Sequence, residues 1–198
     1  MVEARARGIA LEPLPLDLGD REQWPAALAA LTQAPVAGFA LVAGINHDLS
    51  AAKLDESAWD HVWDVNTGFH ARLLQAFSAS GTLAPGAVGL LVGSIVGSRG
   101  NHGQSAYAAA KGALLDLLPL APPGLRLNAL LPPLVPSPLL AHLAPAAHAH
   151  LFASRSLDDP DPVAGCAEAG AFLLGAGASY IHRQAFHADS RITALGWD

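Results

Sequence analysis

Cysteine is nearly missing from this chain: Cys166 is the only one in 198 residues, so no internal disulfide can form. No charged segment followed by an apolar run opens the sequence, so no export signal is read and a cytoplasmic location is expected. Charged residues make up only 14% of the chain, with a net charge of -6 and no basic cluster. That balance argues against nucleic acid as a partner. The longest apolar stretches are broken by Pro, Asp or Arg, so no transmembrane helix and no membrane partner are expected. His142, His148 and His150 lie close together, but no carboxylate or cysteine completes a ligand set, and no metal site is expected. Lysine is rare, with only Lys53 and Lys111 present.

What is abundant is apolar. Hydrophobic residues make up 52% of the chain, and the mean hydropathy is +0.32. Such a composition implies a large buried fraction or a buried subunit interface. The length suits one compact domain, and no internal repeat or low-complexity linker divides residues 1–198.

Apolar runs alternate with helix-like stretches, the pattern of an α/β fold with a mostly parallel sheet. Strands are expected at Ile9–Leu16, Phe39–Val42, Val88–Gly93, Leu125–Leu131 and Gln184–Ala188. Helices are expected at Arg21–Leu31, from Ser57 as a cap to about Phe77, at Ser105–Leu118 and at Pro162–Leu174. Trp63, Phe69, Leu73 and Phe77 recur at helical spacing. Ile95–Gln104 reads as a Gly- and Ser-rich loop, Pro132–Pro138 as a rigid loop, and Leu139–Phe152 as a helical lid within a substrate segment of about 132–160. Trp24, Trp59, Trp63 and Cys166 read as core.

The chemistry concentrates on Ser94, Tyr107 and Lys111. Lys111 follows Tyr107 by four residues in an expected helix, so the two side chains share a face. A phenol ionises near pH 10, and a cation beside it favours the phenolate. Ser94 ends a strand, where parallel sheets place ligands. These groups suit proton transfer at a carbonyl or hydroxyl oxygen. His47 and His102 lie near the same motifs as candidate cleft residues or plain surface.

Taken in order, these motifs resemble the short-chain dehydrogenase/reductase family. Leu16-Asp17-Leu18-Gly19-Asp20 is similar to its adenine-pocket segment, and Leu41-Val42-Ala43-Gly44 to a reduced form of its Asn-Asn-Ala-Gly turn. Trp63-Asp64-Val65-Asn66 resembles the segment with the family's catalytic Asn, and Leu127-Asn128-Ala129-Leu130-Leu131-Pro132 the strand and turn beside the nicotinamide. The resemblance implies a truncated Rossmann-like parallel sheet without the first β-α-β unit. It implies a catalytic set of Asn66, Ser94, Tyr107 and Lys111, in which Tyr107 transfers the proton and Lys111 lowers its pKa. It also implies cofactor contacts at Asp17, Ala43, Gly44, Lys111 and Pro132, vestigial if no dinucleotide binds.

The family's Gly-x-x-x-Gly-x-Gly turn, which anchors pyrophosphate at a helix N-terminus, is absent. Pro133 replaces a turn glycine, and Arg183 and Ser190-Arg191 replace glycines near the C-terminus. The expected function is therefore proton transfer on a small carbonyl or hydroxyl substrate, with the chain's own NAD(P) site lost or crippled. Two alternatives stand beside it. One is an NAD(P)-dependent oxidoreductase whose dinucleotide site is completed by a partner or lies outside this sequence; the other is a non-catalytic subunit of a hetero-oligomeric dehydrogenase. No cofactor is firmly expected, and NAD(P) is the one the resemblance allows. Loss of the first unit would leave Phe39–Val42 as an apolar edge or bring Ile9–Leu16 beside it. Either way a homo-oligomer, or a heteromer with a second family subunit, is expected.

Overall fold

A computed structural model describes residue 8 and residues 10–49, 51–132, 135, 137–140 and 161–188. Four strands form one parallel sheet in the order β1-β2-β3-β4: β1 Val36–Leu41, β2 Leu83–Val92, β3 Arg126–Leu131 and β4 Ala185–His187. Parallel neighbours need crossovers, and helices supply them. After α1 (Trp24–Leu31), which precedes the sheet, α2 (Glu56–Trp63), a π-helical segment (Asp64–Gly68) and α3 (Phe69–Ser80) run end to end between β1 and β2. The short α4 (Ile95–Arg99) and α5 (Ser105–Leu115) link β2 to β3, and α6 (Pro162–Leu174) precedes β4.

Local chemistry sets the element ends. Asp55 caps α2 by accepting from Ala58 N at 2.8 Å, two residues before the expected cap Ser57. Gly81, at φ 64°, ends α3 in the left-handed conformation that glycine adopts without a Cβ penalty. Asp161 caps α6, and Pro162 occupies its first position, where the missing N–H has no helical partner in any case.

Strand alternation sorts the core. Leu91, Leu127, Ala129 and Leu131 face α3 and α5, packing with Phe69, Leu73, Phe77 and Leu114. Leu90 and Leu130 point to the other face, where they meet Leu173 of α6 and half-buried Cys166. Arg126 fastens α6 to the sheet. Its Nη1 donates to Leu173 O and Ala178 O, and its Nη2 to Leu174 O and Gly175 O, at 2.7 to 3.2 Å. One guanidinium thereby satisfies the carbonyls left over at a helix C-terminus.

Four of the expected strands form, with ends shifted by up to five residues. The fifth does not: described residues 10–16 belong to no strand, and Ile9 lies outside the described residues. Pro13 and Pro15 explain this, since both lack the N–H that one edge of a ladder would need. β1 is accordingly an edge strand, with Ala37, Gly38 and Ala40 exposed and Val42 beyond it 63% exposed. The expected loop at 95–104 contains α4, which forms because Ser94 Oγ accepts from Val96 N at 3.2 Å as its cap. Trp24 is buried edge-on to Phe69, while Trp59 is 37% exposed and so is not core. Pro133, most of the expected lid, the three clustered histidines and Ser190-Arg191 lie outside the described residues. Among the described residues no helix is long and apolar enough to cross a membrane.

Candidate active site

Three segments converge at the ends of β1 and β2: the turn after β1, the π segment between α2 and α3, and the α4–α5 pair. The π segment is the least regular. A π-helical turn widens the backbone ring and frees carbonyls from their usual partners. Asn66, fully buried, uses this freedom. Its Nδ2 donates to Val62 O and to Ile45 O, both at 2.8 Å, tying the long helix to the turn after β1. Its backbone carbonyl accepts from His70 Nδ1 at 2.9 Å. Among the described residues, the buried Asn66 Oδ1 has no hydrogen-bond partner, and it lies beside Gly44. A Cβ on Gly44 would lie 2.8 Å from that oxygen and 3.1 Å from Lys111 Nζ, so only glycine leaves the space beside both.

The α4–α5 pair is held by backbone contact. A Cβ on Gly97 would lie 2.6 to 2.7 Å from backbone atoms of Lys111 and Gly112, and one on Gly112 would lie 3.0 Å from Gly97 O. This approach sets α5 directly against the loop that carries Ser94. Thr67 adds a second anchor, its Oγ1 donating to Ala110 O at 2.5 Å. The alanines between Tyr107 and Lys111 thus permit close packing: Ala110 is fully buried. Gly97, Gly112, Thr67 and His70 escape a motif reading, because their parts appear only when two distant backbones meet. Their sole signal is the small-residue character of both segments.

Lys111 is 3% exposed, and its Nζ donates to Val92 O at 3.0 Å. Burial lowers its pKa to about 8. The same Nζ lies 5.9 Å from the centroid of the Tyr107 ring. Tyr107 is 8% exposed, and burial pushes its phenol above the usual value. Ser94 opposes that shift and Asp48 adds to it. The Ser94 hydroxyl lies close enough to the phenol to lower its pKa, and it accepts from Val96 N at 3.2 Å. Burial is the largest influence on the phenol in this structure and acts against the lowering that the resemblance implies for Lys111. His70 is held neutral, its pKa lowered to about 4 mainly by burial, with the Lys111 charge a smaller cause.

Asn66, Ser94, Tyr107 and Lys111 are thus brought to one place, with Gly44 beside two of them. Ala43 is exposed and Pro132 half-buried where the adjoining strands end. Asp17 is not drawn in. Its Oδ1 accepts from Gly19 N at 2.9 Å within its own turn, and it has no hydrogen bond to the other four. His47 and His102 are exposed. No group of three or more potential metal ligands occurs among the described residues.

Known proteins share this arrangement of elements. A family model described as Enoyl-(Acyl carrier protein) reductase matches residues 1–192. The chain belongs to the short-chain dehydrogenase/reductase family. It is 35% identical over 108 residues to the short-chain reductase protein NovJ of Streptomyces niveus, covering 52% of this chain and 40% of that protein. It is 32% identical over 157 residues to a cis-4-hydroxycyclohexanecarboxylate dehydrogenase of Sinomonas cyclohexanicum, covering 72% of this chain and 59% of the relative. The chain thus spans about half the length of these relatives. A blue fluorescent protein from a metagenomic library, solved in complex with NADPH, shares the fold at a TM-score of 0.82 with 24% identity. That match covers 98% of this chain and 80% of the other. The angucycline C-6 ketoreductase LanV with bound NADP aligns at 0.77 and 19%, covering 94% and 77%.

Proposed function

We propose that this chain carries the proton-transfer half of an oxidoreductase reaction on a small carbonyl or hydroxyl compound. Tyr107 gives a proton to the substrate oxygen or takes one from it, Ser94 orients that oxygen, and Lys111 with Asn66 holds the buried polar space behind the phenol. The observation that carries the reading is the buried Lys111 ammonium beside Tyr107 and the unpartnered Asn66 Oδ1. A lysine 3% exposed with one hydrogen bond is an expensive arrangement for a fold to keep without a chemical use.

The described residues fit one end of a nicotinamide dinucleotide. Lys111 Nζ has donors beyond the one given to Val92 O, and the bare Cα of Gly44 leaves room for a hydroxyl near it. When bound, NAD(P) would supply the hydride that the proton transfer accompanies. No glycine-rich turn joins a strand to a helix N-terminus among the described residues, so this part of the chain offers no pyrophosphate cradle. Among the described residues β1 is an edge strand, which supports completion by another strand, from a further segment, a second copy or a second family subunit. Taken alone, the described part of the chain offers a weak dinucleotide site.

Two measurements test this. Fluorescence titration of the purified chain with NADPH and NADH should show no saturation at low micromolar concentration; saturation there overturns the weak-site reading. Turnover of a panel of small ketones, by the chain alone or by the assembly that contains it, should vanish with Tyr107→Phe. Undiminished turnover by that variant overturns the catalytic reading.

A further inference from the structure

The turn after β1 ends on a small polar network that the four-residue set does not include. Asp48 Oδ1 accepts from Asn46 Nδ2 at 2.5 Å and from Gln104 Nε2 at 2.9 Å. Asn101 Nδ2 donates to Gln104 Oε1 at 2.8 Å, so Gln104 is gripped from both sides. Leu49 and Gln104 also form an isolated parallel bridge. Gln104 is the N-cap residue of α5, its carbonyl accepts from Ala108 N at 2.8 Å, and Tyr107 lies three residues on.

The turn is therefore fastened to both halves of the site. Its base is held by Asn66, through Nδ2 to Ile45 O and through the contact with Gly44, and its tip by Gln104. We infer that Asp48 is a positioning residue for Tyr107: its carboxylate latches the 44–49 turn to the start of α5 and so sets the phenol relative to Asn66 and Lys111. This rests on the proposed role of Tyr107 as the proton-transfer group. It names a fifth residue on which that role depends, 59 residues before the tyrosine in sequence.

Among the described residues, the groups that act on the phenol are Ser94 and Asp48, with Lys111 Nζ 5.9 Å from the ring centroid and neutral His70 within reach of the Lys111 charge. The Asp48 charge also raises the phenol's pKa, a smaller influence than burial.

The chain contains only two tyrosines, and Tyr180 is fully exposed, so it serves as an internal reference. The full chain labelled with 3-fluorotyrosine would be titrated by 19F NMR as wild type, Asp48→Asn and Gln104→Leu. Asp48→Asn keeps an acceptor for both donors and removes the charge. The Tyr107 resonance should then titrate lower by roughly half a pH unit, the scale of one charge acting across partly solvated protein, with Tyr180 unmoved. Gln104→Leu keeps the charge and frees the latch, and should also lower the Tyr107 titration. An unchanged Tyr107 titration in Gln104→Leu overturns the inference; should that variant not fold, an unchanged titration in Asp48→Ala, which removes the acceptor of the latch, does so. The titration needs no turnover, so its outcome is read separately from the catalytic reading.

Discussion

Replacing Lys111 by methionine should stabilise the protein at neutral pH, by an amount that shrinks as pH rises. The ammonium is 3% exposed, and burial lowers its pKa from 10.5 to about 8. A tenfold change in an ionisation constant corresponds to about 1.4 kcal/mol, so the buried charge costs roughly 3 kcal/mol at pH 7. Loss of the hydrogen bond to Val92 O, about 1 kcal/mol, offsets part of the gain and leaves about 2 kcal/mol for Lys111→Met. The sign follows from proton counting. Between pH 8 and 10.5 the unfolded chain holds a proton on this lysine that the folded chain has released, so wild-type stability rises with pH through that window. Methionine has no such dependence. The advantage of the variant should therefore fall by about 2 kcal/mol between pH 7 and pH 10. Urea unfolding followed by tryptophan fluorescence at both values reads it, because other titrations are common to both proteins. A difference that is the same at the two pH values would refute the reasoning, for it would mean that Lys111 is not desolvated.

Three further outcomes follow from single contacts. Wild-type stability should decline as pH falls from 6.5 through 4, because the unfolded state protonates His70 and the folded state resists; His70→Gln should flatten that decline in acid unfolding curves. Gly97→Ala places a Cβ 2.6 to 2.7 Å from backbone that cannot swing aside, so a loss of roughly 3 kcal/mol or more is expected in urea unfolding. Arg183 holds φ 58°, a left-handed conformation strained for a residue with a Cβ. Arg183→Gly should therefore raise stability by up to about 1 kcal/mol after the entropy of a freer unfolded chain is subtracted. An unchanged or lower melting temperature would contradict that account.

Family membership was legible in the linear chain because its signals are local: Tyr107 and Lys111 one helical turn apart, Ser94 at the end of an apolar run, and strand-like runs alternating with amphipathic stretches. Helix boundaries read well where a polar cap marked them, as at Asp161-Pro162. The strand expected at 9–16 does not form over residues 10–16, because Pro13 and Pro15 remove two N–H donors and that loss outweighs β-propensity.

By itself the sequence determined which side chains are available, the parallel α/β pattern, and the scarcity of charge that makes a buried lysine conspicuous. Only the tertiary structure decided how those side chains behave. Burial raises the Tyr107 pKa, an effect invisible in the linear motif, since desolvation depends on what surrounds a group. The packing of Gly97 on Gly112, the Thr67 anchor and the Asp48 latch join residues between 15 and 56 positions apart. Such contacts leave no period or motif in the chain, because each exists only after the sheet has brought its loops together.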